Sequence, residues 1–380
     1  MMKFIPEYFK RVIRFCYYRN ERNKVYRERL IRKNQNKQLQ LQYSSEIEKL
    51  IIFVVGGASW FTGKDEISGG IMSIASIYEE TVKLKEIHCA EVIMVTSPDA
   101  HLLLKHTQFP NDIPLYRFNQ LSFFSNLHEV TIHIPEYMFK PLLIEKLRQK
   151  LSPIKVNQFH LNILNQRIDI MPTPEVINSI RGKGYYVTQT TAHEQYSNIE
   201  IREKYGVPLH KLSVYATPER YDFRPYSEKE DIILVSPDMG ELKDLILEKI
   251  KRELPRFEVI IISGITYMKY LELIQRAKYM ITLGEGLDFY FIETVFSGGV
   301  SFAVYNQDFF TPSFEHLNGV FDSYQSMVEK IDDVINKAET DLNYFQDTNG
   351  QQFEACHKIY NGDFYKQNLI DFYTTDYLFP

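Results

Sequence analysis

YMITLGEGLDFYFIETVFSGGVSFAVYN, residues 279–306, is the stretch that decides how the chain folds. Residues 279–283 form an apolar, β-branched run of strand length, and 284–288 a glycine-bearing break. Residues 289–296 have helical length before Ser297-Gly298-Gly299 stops them, and a second apolar run occupies 300–305. Strand, loop, helix and strand in that order predict a parallel pair whose loop leaves the carboxyl end of the first strand. Ligands of open α/β sheets bind at that edge, where a helix N-terminus offers free N–H groups and the positive end of its dipole. Glu285 falls in the loop and Glu293 in the helix, with seven residues between them.

An ionised carboxylate can accept two hydroxyl donors, so such a pair suits a sugar or ribose ring. The same spacing also arises when one glutamate caps a helix and the other is solvated on its outer face. The segment EGLDFYFIETVFSGGVSFAV resembles the Glu-x7-Glu signature of retaining glycosyltransferases of GT-B architecture, family 4-like and of polysaccharide-biosynthesis type. Asp288 stands where that pattern has its second glycine and Ser301 where a proline is usual, which marks a divergent branch. The resemblance implies that Glu285 contacts the transferred sugar and Glu293 the nucleotide ribose, with Gly286 and Leu287 completing the donor loop.

Working outward, 380 residues allow two domains with separate cores, and an aromatic content of 14% argues for a packed globule rather than disorder. Cys16, Cys89 and Cys356 are too widely spaced for a disulfide framework or a CxxC metal site, which predicts a reducing, cytoplasmic setting. No apolar run is long enough to span a membrane, and the N-terminus lacks the uninterrupted apolar core of a signal peptide.

Charge is uneven. Residues 1–40 hold twelve Lys and Arg against three Glu, a net of +9, so the rest carries −14 of the overall −5. Ile5, Tyr8, Phe9, Val12, Ile13 and Cys16 recur at helical spacing beside Lys10, Arg11 and Arg14, a basic amphipathic pattern. Such a helix either lies on an anionic membrane, to which each basic residue contributes about 1 kcal/mol, or packs on the protein's own body. Nucleic acid is not the expected partner, because the remainder is acidic and no recognition module is visible.

The first domain opens with a buried-strand pattern over 48–55, followed by a polar loop and Gly69-Gly70 ahead of a helix. The Gly69-Gly70 pair is ordinary turn chemistry read alone, and it also resembles the GT-B loop that approaches the donor diphosphate. Strand patterns at 90–96, 130–134, 159–164 and 185–190 alternate with helical ones, which predicts a doubly wound parallel sheet. Two polar clusters, His160–Gln166 and Thr188–Tyr196, sit near strand ends and suit a hydroxyl-bearing acceptor. His193, among Thr190, Thr191 and Glu194, is the candidate for hydrogen bonding or proton transfer, although a lone histidine is more often structural.

Residues 211–226 read as a turn-rich hinge, and a donor-domain strand follows at 231–235. Relatives of the GT-B type place an arginine and then a lysine after this strand, facing the diphosphate. Lys243 matches the lysine with a small shift, whereas Ser236 or Pro237 occupies the arginine position, and Arg220 or Arg224 is left as a substitute. The expected domains are a helical extension (1–45), an acceptor domain (46–218), a donor domain (219–340) and a C-terminal helical segment (341–380) crossing back to the first.

The expected fold is therefore α/β of GT-B type, two Rossmann-like domains facing a cleft. The expected activity is retaining transfer from a nucleotide-sugar to a glycan or lipid-linked glycan, at the inner face of the cell membrane. No metal cofactor is expected, because the chain lacks an Asp-x-Asp. A nucleotide-sugar epimerase of the same architecture and a catalytically degenerate scaffold in a glycan-assembly complex are the alternatives.

Overall fold

In the computed structural model the chain is described at residues 22, 26, 29–40, 47–56, 69–96, 115–151, 158–263, 265 and 267–380. The expected amphipathic stripe of residues 5–16 and the loop before Gly69 lie outside these residues.

The strand β1 (Lys49–Val55) reads KLIIFVV and is buried from Leu50 onward, as a strand covered on both faces must be. It pairs in parallel with β2 (Glu91–Thr96) on one side and β4 (Glu129–Pro135) on the other. With β3 (Leu115–Arg117), β5 (Gln158–Asn165), β6 (Tyr186–Thr191) and β7 (Leu209–Lys211), the first sheet runs β3-β2-β1-β4-β5-β6-β7. Winding reverses between β1 and β4, so the carboxyl ends of these two strands flank a crevice.

The second sheet holds β8 (Glu230–Val235), β9 (Glu258–Ile261), β10 (Ala277–Ile281), β11 (Val300–Val304) and β12 (Val320–Phe321), in the order β12-β11-β10-β8-β9. Its reversal lies between β8 and β10. The stretch that opened the sequence reading is thus β10, its loop, the helix Phe289–Phe296 and β11, at the switch point of this domain. β10 begins earlier than the sequence pattern suggests, because Ala277 and Lys278 extend the strand rather than the helix Tyr267–Arg276.

Residues 29–40 are helical and packed on the first domain. Leu39 is fully buried in its core, and Gln35 Nε2 donates to the Leu115 carbonyl at 2.7 Å. At the other end, the helix Leu342–Ile359 covers the second sheet, where the Gln352 side chain brackets the backbone of Ser301. Asn361 then caps a new helix, Gly362–Tyr373, whose Tyr365 and Leu369 join Ile51, Phe53 and Val55 in a core of the first domain. The chain crosses back through this last helix, and Leu209 pairs with Phe379 at the sheet edge.

Candidate active site

The loop after β10 is built to a fixed shape. The Thr282 hydroxyl donates to the Gly286 carbonyl at 2.7 Å, and Leu283 N–H donates to the Ser236 hydroxyl at 3.1 Å. Ser236, at the position where a diphosphate-binding arginine was sought, is fully buried and anchors this loop to the one after β8. Gly284 and Gly286 take φ of +77° and +82°, the left-handed region that glycine enters without penalty. A Cβ on Gly286 would lie 2.6 Å from the Phe310 ring, so that position has no room for one. Asp288 caps the helix Phe289–Phe296 by accepting the Phe291 N–H at 3.0 Å.

Glu285 is half-buried at the tip of this loop. Burial raises its carboxyl above the ordinary range; the Arg167 guanidinium opposes that shift, and the charges of Asp238 and Asp169 add to it. Arg167 leaves the carboxyl end of β5 in the first domain and grips Asp169 through Nε at 3.1 Å and Nη2 at 2.7 Å. It also feels the field of Glu136. The loops of the two domains therefore face one another here, with one cation between carboxylates from both sides.

His193 follows β6 in the same rim. Its Nε2 bonds the Gln166 carbonyl, and since a carbonyl only accepts, Nε2 carries the proton and Nδ1 is left as acceptor in the neutral ring. Burial holds the imidazole below its usual pKa, the carbonyl contact working weakly against it. Gln166 Nε2 also reaches the Gly70 carbonyl at 3.3 Å, which ties the Gly69-Gly70 helix start to the β5 end. From the second domain, Phe309 lies edge-on to His193 with ring centroids 5.4 Å apart. Asp308 meets the Tyr196 hydroxyl at 3.3 Å and accepts from Gln195 through its carbonyl.

Glu293 is placed differently. It is 1% exposed, and its Oε1 accepts from the Tyr221 and Tyr267 hydroxyls at 2.9 and 2.8 Å. Burial raises its carboxyl, while these hydroxyls and the charge of Arg220 pull the other way. Arg220 stacks over Tyr215 and donates to its carbonyl at 2.8 Å. Lys243, first residue of the helix Lys243–Glu253, donates to the Ser236 and Asp238 carbonyls at 3.0 and 2.7 Å, bracing the loop after β8. Leu287 packs into a core of the second domain with Phe291 and Phe310.

The structure thus brings Glu285, His193 and Gly70 to one rim through Gln166 and Arg167, and sets Glu293, Lys243 and Leu287 into supporting contacts beside it. Of the polar clusters, His160, Asn162, Thr188 and Thr190 are not rim residues. They bond one another across β5 and β6, with Asn162 reaching His133 at 3.0 Å, under the Phe372 and Tyr373 rings. Glu136, just past β4, escaped sequence reading. It is 5% exposed, accepts backbone N–H groups of Gln166 and Arg167, and burial pushes its carboxyl up to about 7. A single glutamate after a proline carries no periodic or motif signal, so only its position at a strand end could have raised it.

Two parallel-sheet domains joined by a connecting segment, each with its switch-point loops turned toward a shared cleft, define the GT-B fold, and known structures bear this out. An alpha-glucosyltransferase in complex with UDP and DNA matches with a TM-score of 0.56 and 12% identity, over 86% of this chain and 99% of that one. HepE of Anabaena, in complex with UDP and glucose, matches with a TM-score of 0.56 and 7% identity over the same shares. UDP-GlcNAc 2-epimerase from Neisseria meningitidis, bound to UDP-GlcNAc, matches with a TM-score of 0.50 and 11% identity, over 86% and 100%. No family model matches the sequence, and no curated protein is significantly similar to it.

Proposed function

We propose that this chain is a retaining glycosyltransferase that moves a sugar from a nucleotide-sugar donor to a hydroxyl acceptor in glycan assembly. The observation that carries the reading is Glu285, held at the second domain's switch point and facing Arg167 and the His193 rim across the cleft. GT-B neighbours holding UDP, or UDP with glucose, support a nucleotide-sugar as the ligand class.

In this reading Glu285 binds hydroxyls of the transferred sugar and favours the positive charge that grows at its anomeric carbon. Arg167 and the N-terminus of the helix beginning at Gly69 stand near the departing diphosphate and lower the barrier electrostatically, without a metal. The neutral His193, with Nδ1 free to accept, orients the acceptor hydroxyl. Glu293 acts on the ribose once Tyr221 or Tyr267 yields its place. Displacement on the same face as the leaving phosphate retains the anomeric configuration. The basic N-terminal extension holds the enzyme against an anionic membrane, so deleting residues 1–28, which leaves the packed residues 29–40 in place, is expected to release it from anionic vesicles but spare donor hydrolysis.

The test is a screen of nucleotide-sugars for consumption, with the product's anomeric configuration read by NMR; an inverted product contradicts the reading. An epimerase of the same architecture is the second reading. Glu136 favours it, since a carboxyl pushed up to about 7 can both give and take a proton at neutral pH. Conversion of the nucleotide-sugar to its epimer with no acceptor present, abolished in Glu136→Gln, would select it.

A further inference from the structure

The loop that follows β11 carries two adjacent residues, Asp308 and Phe309, that reach out of the second domain and meet the turn after β6 in the first. The base of this loop is fixed. Asp308 N–H donates to the Asn306 side chain at 3.0 Å, and the N–H groups of Phe309 and Phe310 both donate to the Asn306 carbonyl, at 3.0 and 2.8 Å. Phe310 is buried among the Phe291, Tyr305 and Phe314 rings and fills the space that a Cβ on Gly286 would need. The loop that bears Glu285 and the loop that bears Phe309 are thus packed on one another within the second domain.

Three residues of the first domain receive them. Gln195 Nε2 donates to the Asp308 carbonyl, the Tyr196 hydroxyl donates to Asp308 Oδ1 at 3.3 Å, and the His193 imidazole meets the Phe309 ring. Within its own domain His193 is pinned at one edge, where Nε2 donates to the Gln166 carbonyl. The Tyr196 and Phe309 rings stand 6.2 and 5.4 Å from it, inclined at 83° and 75°, and such edge-on contacts favour one orientation of the imidazole plane. One of these two rings is supplied by the second domain, so it is in place only while the domains are together. The charged groups around the turn are Glu194, paired with Lys211, and Asp308 and Asp169, whose fields reach Tyr196.

We propose that Phe309 is a positioning residue for the transfer: it covers His193 from the second domain and fixes the direction of Nδ1, so that the histidine orients an acceptor hydroxyl only when the domains are closed and Glu285 stands opposite. The inference rests on the transferase reading and on the place of His193 in it. Asp308 anchors the contact through Gln195 and Tyr196. Phe309 carries no polar group to offer a substrate, and it acts through the imidazole it covers. A contact that only steadied the closed arrangement would change how the domains meet without acting through His193, and that difference is measurable.

The experiment uses the full chain, with Phe309→Ala, Phe309→Tyr, His193→Gln and the double variant Phe309→Ala/His193→Gln. The His193 ring signal is identified by its absence from the His193→Gln spectrum and is titrated by NMR. Burial is the chief cause that holds this imidazole below its usual pKa. Uncovering it in Phe309→Ala should therefore bring its midpoint up toward about 6.5, and Phe309→Tyr, which keeps a ring, should leave it in place. None of the charged groups around the turn is altered, so the shift reports the ring. On whichever nucleotide-sugar the wild type consumes, Phe309→Ala should lower kcat by about tenfold or more while donor Kd changes less than about threefold, and Phe309→Tyr should keep wild-type turnover. Added to His193→Gln, Phe309→Ala should cost less than about twofold further. Circular dichroism establishes which variants are folded, and Phe309→Leu takes the place of Phe309→Ala if that one is not. An unchanged His193 midpoint in Phe309→Ala, or losses that multiply in the double variant, would overturn the inference and leave the transferase reading standing. Consumption of no nucleotide-sugar by the wild type would overturn both.

Discussion

Three single residues have consequences that can be measured one at a time. Gly286 combines φ of +82° with a Phe310 ring where a Cβ would go, so Gly286→Ala is both strained and overpacked. A loss of about 2 to 4 kcal/mol by denaturant titration is expected. Glu293 is the acceptor for the hydroxyls of two half-buried tyrosines, and Glu293→Ala leaves both unpaired. That variant should lose about 2 to 5 kcal/mol of stability in addition to weaker nucleotide binding. Calorimetry well below its melting temperature separates the two effects, and unchanged nucleotide affinity there removes Glu293 from the ribose. Glu136 has a folded pKa above its unfolded one, so folding favours the protonated acid. The protein loses stability through this group as pH rises from about 4.5 to 7, and is flat beyond. Glu136→Gln, always neutral, should therefore melt at a higher temperature than wild type at pH 8 and nearly equally at pH 5.

At the scale of elements, the long strands and the 279–306 unit were legible because a buried parallel strand is a continuous apolar run and a helix start needs a cap. β3, β7 and β12 were not: two or three residues carry no period, and only neighbouring strands make them strands. The acceptor-side clusters misled in part for a related reason. In a strand buried on both faces, a polar residue bonded to its neighbour strand looks the same in sequence as one aimed at a ligand. His160 sits instead with His133 and His210 around Phe372 of the last helix. Arg167 lay one residue beyond the flagged cluster, and its meeting with Glu285 depends on how two domains face each other, which no local pattern encodes. The histidines make a prediction of their own. Burial lowers all three, His160 to about 4, so each is neutral when folded and takes a proton more readily when unfolded. Their stabilisation is whole above pH 6.5 and is lost as pH falls toward 4, with His160 alone worth up to roughly 3 kcal/mol. Because Glu136 acts in the opposite sense over the same range, the readout is the difference between proteins: His160→Gln should gain melting temperature relative to wild type as pH falls from 7.5 to 5.

For the whole molecule, the last helix, Gly362–Tyr373, returns to the first domain while Asp308 and Phe309 reach His193 and Tyr196 across the cleft. The proposed reaction draws on both halves: Glu285 from one, Arg167 and His193 from the other. The central claim is that Glu285 acts on the transferred sugar more strongly in the transition state than in the ground state. Glu285→Gln keeps shape and removes charge, so it separates the two directly. On whichever nucleotide-sugar the wild type consumes, kcat should fall by 100-fold or more, about 3 kcal/mol of barrier, while donor Kd changes less than about threefold. Full activity in Glu285→Gln, or a loss entirely in donor affinity, would contradict the account.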